Sequence, residues 1–288
     1  MSRDIQQLAT THFPPLIHEM ADSPKSLYVQ GTLPSRETKL LAVVGSRKCT
    51  SYGRDVVDFL LEGLRGYDIS IVSGLALGID GHAHAAALRS GLHTIAVPGS
   101  GLSESVLYPQ SHAHLARQIL EHGGALLSEF EPEERAAPWT FPKRNRIMAG
   151  MSHAILVIEA TERSGTLITA RLATEYNRDL LVVPGSIFAQ SSKGAHQFLK
   201  LGATPVTTSK DILVALGFSL EEQEDEPTVD FSNFSKQECE ILELLANPMS
   251  RDELLSQLSF SVTEANILLS KLELDGVIVE KLGTLRRA

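Results

Sequence analysis

Between residue 40 and about residue 217 the sequence repeats one pattern: a short apolar run, a small-residue turn, then an amphipathic stretch. Candidate strands fall at 40–45, 69–73, 93–97, 125–128, 154–159 and 180–184. Each is apolar almost throughout instead of alternating, as strands covered on both faces must be. The spacing predicts helices at about 52–65, 79–90, 111–122, 142–151 and 165–177, long enough to cross over between parallel strands. That alternation requires an α/β fold, a doubly wound Rossmann-like parallel sheet. With 288 residues, 43% of them hydrophobic, the chain can bury one full core and carry a smaller appendage.

The appendage begins after an acidic stretch. Nine acidic residues against one basic between Ser219 and Glu243 account for −8 of the net charge of −9, leaving the rest of the chain near neutral. Ser235-x-x-Glu238, Ser250-x-x-Glu253 and Ser261-x-x-Glu264 are capping-box signatures, each heading an apolar-periodic run. Asp275-Gly276 then stops the third helix, and two short β-rich runs follow, which together predict a small C-terminal winged-helix domain. The expected organisation is an N-terminal extension (1–35), a Rossmann-like domain (36–218), an acidic linker (219–233) and the winged helix (234–288). From Ser235 onward there are six basic and nine acidic residues, and the third helix offers Thr263, Glu264, Asn266, Ser270, Lys271 and Glu273. Duplex reading is therefore disfavoured, and a docking or regulatory role is expected, with Arg286 and Arg287 leaving a weak nonspecific contact open.

The N-terminus lacks the apolar core of a signal peptide and no apolar run is long enough to cross a bilayer, so a cytoplasmic protein is expected. Cys49 and Cys239 are far apart and outside any CxxC spacing, so free thiols without a metal or redox role are expected.

Gly and Ser gather at the ends of the predicted strands: Gly45-Ser46, Ser73-Gly74, Gly99-Ser100-Gly101, Ser164-Gly165 and Gly185-Ser186. In an open α/β sheet, ligands bind beyond the carboxyl ends of the strands, where helix N-termini can hold phosphates. Any single such turn is accounted for by ordinary loop chemistry. Several of them, joined by Arg47 and by the run Phe141-Pro142-Lys143-Arg144-Asn145-Arg146, describe a polyanion site. From Pro142 to Arg178 six basic residues oppose three acidic ones, so a basic patch survives the overall acidity. Neither G-x-G-x-x-G nor G-x-x-x-x-G-K-[ST] occurs, which argues against dinucleotides and NTPs, and no serine sits in a G-x-S-x-G elbow. His82 and His84 are two apart and diverge around a helix, so a structural His84 is the default. Trp139, Phe141 and Phe188 are each either core residues or platforms for a base.

Val44-Gly45-Ser46-Arg47, Ser73-Gly74-Leu75-Ala76, Gly78-Ile79-Asp80, Ala83-His84, Tyr108-Pro109, Ser128-Glu129, Phe141 to Ile147, Ser164 to Ala170, Val183-Pro184-Gly185 and Gly202-Ala203 occur in this order. Over residues 24 to 210 this set closely resembles the DNA-processing protein A family (DprA, also called Smf), many of whose members carry a similar winged helix. The resemblance implies a homodimeric protein that binds single-stranded DNA and delivers incoming DNA to the RecA recombinase during natural transformation. It maps pocket contacts onto Gly45, Ser46, Arg47, Lys143, Arg144 and Asn145. On the residues' own chemistry, Arg47, Lys143, Arg144 and Arg146 are expected to neutralise phosphates, with Gly45, Ser46, Ser164 and Gly165 as close-approach donors. Ser73 and Gly74, at the next strand end, complete the expected DNA-binding set.

A rival from another class is a nucleoside-monophosphate phosphoribohydrolase of the lysine-decarboxylase-like Rossmann group. Its P-G-G-x-G-T-x-x-E loop resembles Ser164-Gly165-Thr166, but the position of the Glu is held by Thr169. Glycosidic chemistry needs a carboxylate there, and Glu175 lies nine residues beyond Thr166, over two helical turns away. Binding without catalysis, and with no cofactor or metal, is therefore expected.

Overall fold

The computed structural model describes residues 4–162, 165–219, 234–245, 248–281 and 283–287. The chain divides into two compact units, Met1–Glu221 and Glu222–Ala288. Most of the predicted acidic linker, and Ser164, lie outside the described residues.

The larger unit is built on a nine-stranded sheet in the order β1-β2-β6-β5-β4-β3-β7-β8-β9. Its predicted strands appear as β3 (Lys39–Val44), β4 (Ile69–Ser73), β5 (His93–Ala96), β6 (Ala125–Ser128), β7 (Ala154–Val157) and β8 (Asp179–Val182), all mutually parallel. The predicted crossovers are α1 (Ser51–Glu62), α2 (Ile79–Arg89), α3 (Ala113–Glu121), α4 (Thr140–Met151) and α5 (Thr166–Glu175). Strand β3 shows why its run is unbroken. Leu40, Ala42 and Val44 enter a core layer with residues of α4 and α5. Leu41 and Val43 enter the opposite layer with residues of α1 and α2. Side chains alternate across a strand, so both sets are buried only when both faces are covered. Each fully buried branched side chain contributes about 1.5–3 kcal/mol to that closure.

Three strands and two helices extend the predicted pattern. Strand β2 (Tyr28–Gly31) runs antiparallel to β6 and carries β1 (Gln6–Gln7) on its outer edge. The segment before residue 36 is thus part of the sheet, and Phe13, Ile17, Met20 and Leu27 are buried in the core. Tyr-Val-Gln-Gly is too short and too mixed to announce a strand, and β6 supplies the missing ladder. On the other edge come α6 (Lys193–Lys200), β9 (Thr204–Pro205) and α7 (Ser209–Ala215).

The smaller unit holds α8 (Lys236–Leu244), α9 (Arg251–Gln257), α10 (Val262–Leu274) and the antiparallel hairpin β10 (Ile278–Lys281) with β11 (Thr284–Arg287). All three predicted serines cap their helices, and at Ser235 and Ser261 the Glu three residues on closes the reciprocal bond. Basic side chains here hold the unit together: Arg251 bonds Glu273 and Glu280, and Lys271 bonds Glu238 at 2.8 Å. The outer face of α10 instead exposes Ile267 and Leu274.

Candidate nucleic-acid interface

From β3 the chain steps to β4, β5 and β6 on one side, while β7 and β8 lie on the other, so the topological switch falls between β3 and β7. A cleft of about 940 Å³ opens there, beyond the carboxyl ends of those strands. Gly45, Ser46 and Arg47 follow β3 into it, and Arg144 and Asn145 enter from α4. Gly165 enters from the turn that follows β7, at the start of α5. Six of the expected binding residues thus line one space, although up to 120 positions separate them in the chain.

Two glycines at strand ends, one in the cleft and one behind Phe141, are required by close approach. A Cβ on Gly45 would lie 2.6 Å from the Ile79 side chain, which seats the 45–47 turn against α2. The turn is also tied by the Ile79 amide, which donates to the Ser46 carbonyl at 3.1 Å. A Cβ on Gly99 would lie 2.7 Å from the Phe141 ring.

The cations sort into distinct roles. Arg47 and Lys143 are exposed, and each sits over an aromatic ring: Arg47 Cζ is 5.0 Å from the centre of Phe141, and Lys143 Nζ is 4.9 Å from that of Trp139. Such stacking holds a long cation in place without removing its charge from solvent. Phe141 meets Tyr108 and Trp139 meets Phe130, with ring centres 5.8 and 5.7 Å apart, so both platforms are braced.

Arg144 is different. It is buried, and its guanidinium donates to the carbonyls of Gly74 and Val97 and, through Nε, to Asn145 Oδ1 at 2.9 Å. Burial pulls its pKa down, and the charge of Asp80 opposes that pull. Burial likewise pushes the Asp80 carboxyl up, countered by Arg144, Arg47 and the N–H groups of Ala76 and Gly74. Arg144 therefore clamps the 74–80 loop to α4 and orients Asn145, while still forming part of the cleft wall.

Arg146, expected among the phosphate contacts, is placed elsewhere. Its guanidinium bonds Glu129 and the Asp22 carbonyl, and it does not line the cleft. Ser73 is also withdrawn: it is fully buried, and its hydroxyl donates to the Val43 carbonyl at 2.6 Å across the sheet. Gly74 lies behind the wall, where its missing side chain leaves room for the Arg144 guanidinium.

Several contributors were not anticipated. Lys48 joins the cleft directly after Arg47, and Gln190 and Ser191 enter from the loop after β8. Glu159, buried beyond the end of β7, accepts from the Thr50 amide at 2.9 Å and the Thr50 hydroxyl at 2.6 Å. It stoppers the N-terminus of α1, the anion position that the Gly45-Ser46-Arg47 turn leads toward. The signal was present as an acid ending an apolar strand. By contrast, α5 starts after Gly165 in the cleft with no side-chain cap among the described residues. Thr169, which stands where the rival enzyme group has Glu, is buried against the same cleft and is neutral. His84 is buried too, and burial lowers its pKa to about 3, as expected of a structural histidine. Among the described residues no helix is long and apolar enough to cross a membrane.

Residues 5–217 match the family model of DNA recombination-mediator protein A. Protein Smf of Escherichia coli K12 is 42% identical over 237 residues, which is 82% of this chain and 63% of that protein's length. DNA processing protein DprA of Streptococcus pneumoniae R6 is 41% identical over 202 residues, 70% of each chain. An X-ray structure of DprA from Streptococcus pneumoniae superposes with a TM-score of 0.69 at 38% identity, covering 76% of both chains. A structure of DprA from Helicobacter pylori, described for its single-stranded DNA binding mode, gives a TM-score of 0.64 at 27% identity over 74% of this chain and 95% of that one. The motifs, the switch-point cleft and these matches agree: the chain belongs to the DNA recombination-mediator protein A (DprA/Smf) family.

Proposed function

We propose that this protein binds single-stranded DNA in the switch-point cleft and, as a dimer, loads RecA onto strands taken up in natural transformation. The observation that carries the binding step is the exposed Arg47 stacked on the braced Phe141 ring in an open strand-end cleft, with a second exposed cation, Lys143 on Trp139, outside the lining but next to its wall residues Pro138 and Pro142. Cations beside aromatic faces suit a chain whose phosphates and bases are both accessible. Gly45, Ser46 and the start of α5 at Gly165 offer donors for close phosphate approach, and Asn145 offers an oriented amide. The Helicobacter pylori relative's single-stranded DNA binding supports the same use here. Loading of RecA and dimer formation rest on the family's role as recombination mediator.

The protein acts by holding DNA, without cutting it or releasing bases. Among the described residues that line the cleft, Asp80 is the acidic one, and it is engaged by backbone N–H groups; the buried Glu159 is engaged by Thr50. Gel shifts with single-stranded and duplex DNA at two salt concentrations test this. Single strands should bind more tightly, and Arg47→Ala or Lys143→Ala should each lower the salt slope by about 0.7. Unchanged affinity in both variants would remove these residues from the interface. Release of free base from nucleoside monophosphates would establish the phosphoribohydrolase instead.

A further inference from the structure

The loop from Pro184 to Ser192, between β8 and α6, holds a phenylalanine whose role neither the core nor the cleft wall explains. Phe188 is 89% exposed, beside Ile187 at 73%. The backbone that carries it is nonetheless fixed at both ends. The Tyr52 hydroxyl donates to the Pro184 carbonyl at 2.7 Å, and His196 Nε2 meets the Gly185 carbonyl at 3.0 Å. Ser186 closes a turn, accepting from the Phe188 amide through its hydroxyl at 3.3 Å and from the Ala189 amide through its carbonyl at 3.0 Å. At the far end the Ser191 carbonyl accepts from the Ala160 amide at 2.8 Å, tying the loop to the segment after β7.

The three residues after Phe188 (Ala189, Gln190 and Ser191) line the same cleft as Arg47 and Asn145. From Pro184 to Lys193 the loop contains no acidic residue, so nothing in it repels a phosphate chain. An exposed ring on a pinned backbone, continuous with a polyanion cleft, needs a partner that brings a flat apolar face without an anionic one. A nucleobase does so, and every base has such a face. Ile187 and Phe188, with only the small Ala189 following them before Gln190, are too small a patch for the core of a protein interface.

We propose that Phe188 is a stacking platform for a base of the strand held in the cleft, one nucleotide or more beyond the phosphates at Arg47. The assignment rests on the single-strand reading of the cleft. Stacking on an aromatic side chain is worth about 5- to 150-fold in affinity per base by alanine substitution, and it carries no phosphate contact. The ring should therefore add affinity on any sequence and leave the salt slope alone.

Fluorescence anisotropy with the full chain tests this, using oligo-dT and an abasic deoxyribose-phosphate strand of equal length. F188A should weaken oligo-dT binding about 5- to 150-fold, leave abasic binding and both salt slopes unchanged, and be rescued by F188Y. Equal weakening on both strands, or no weakening on either, overturns the platform. So does a changed sedimentation mass with unaltered DNA affinity, which would make the patch a contact with a second copy of the chain. Failure of the wild type to bind oligo-dT would instead remove the single-strand reading beneath it, an outcome visible before any variant is compared.

Discussion

Replacing Gly74 by alanine should destabilise the larger unit, because the new methyl is driven into Arg144 and Asp80 from behind the cleft wall. The added carbon would overlap the Arg144 guanidinium and come within 2.5 Å of Asp80 Oδ2. Arg144 cannot yield without loosening its bonds to the Gly74 and Val97 carbonyls. Hydrogen bonds to a charged group contribute about 1.5–3 kcal/mol each, so losing one and stretching the other should cost about 2–4 kcal/mol. The alanine also stiffens the unfolded chain, which offsets about 0.4–1 kcal/mol of that. The net loss, about 1–3.5 kcal/mol, is a substantial part of a total stability of about 5–15 kcal/mol. At about 2–4 °C per kcal/mol for a unit of this size, the midpoint should fall by roughly 2–14 °C. Trp139, the chain's single tryptophan, sits at the N-terminus of α4 three residues before Pro142, so its fluorescence reports this unit's unfolding. Single-strand affinity should fall at every salt concentration with an unchanged slope, because no phosphate contact is removed. A Gly74→Ala protein as stable as the wild type would show that Arg144 is not clamped, and that the 74–80 loop is not fixed by it.

The other arginine of the run separates stability from binding. Arg146→Ala should leave the salt slope of DNA binding intact but cost about 1–3 kcal/mol in denaturant unfolding, because Glu129, whose Oε1 has no hydrogen-bond partner among the described residues, loses its main counter-charge. In the smaller unit, the hydrogen bond from Lys271, with those from the Ser235 amide and hydroxyl, holds the Glu238 carboxyl at about 2, below its ordinary 4.5. A depressed carboxylate stabilises the fold above its unfolded pKa, so this contribution should be present above pH 4.5 and disappear as the pH falls toward 2. The Ser235 amide resonance should follow that titration, and Lys271→Met should move it upward. His84, held neutral by burial with its pKa lowered to about 3, opposes folding once unfolded histidine takes up protons, so the larger unit should lose stability as the pH falls below 6.5. An NMR titration in which the His84 ring protonates near its ordinary 6.5 would contradict that burial. Ile17→Ala should cost about 2–5 kcal/mol, since the segment before residue 36 is core and the side chain is fully buried. Unfolding at the wild-type midpoint would show that this segment docks only weakly.

Much of this fold was legible because its information is local and periodic. Unbroken apolar runs such as Leu40–Val44 can be buried only in a sheet covered on both sides, and glycine-rich turns after them mark the strand ends. The caps at Ser235, Ser250 and Ser261 are equally local, each fixed by a bond three residues away. Strand β2 was not legible, since four mixed residues become a strand only when β6 lies beside them.

Hydrophobic period and turn chemistry are properties of neighbouring residues, so the α/β sheet and the gathering of Gly, Ser and cations near its strand ends are readable before any fold is known. The partner of each cation, by contrast, is set by packing. At 3.6 residues per turn, Lys143, Arg144 and Arg146 leave α4 in different directions, and the two arginines meet partners far away in the chain. Lys143 lies over Trp139 in solvent, Arg144 holds Gly74 and Val97, and Arg146 holds Glu129 and Asp22. Whether a positive charge faces a phosphate or a carboxylate of its own protein depends on those distant partners, which no local pattern encodes.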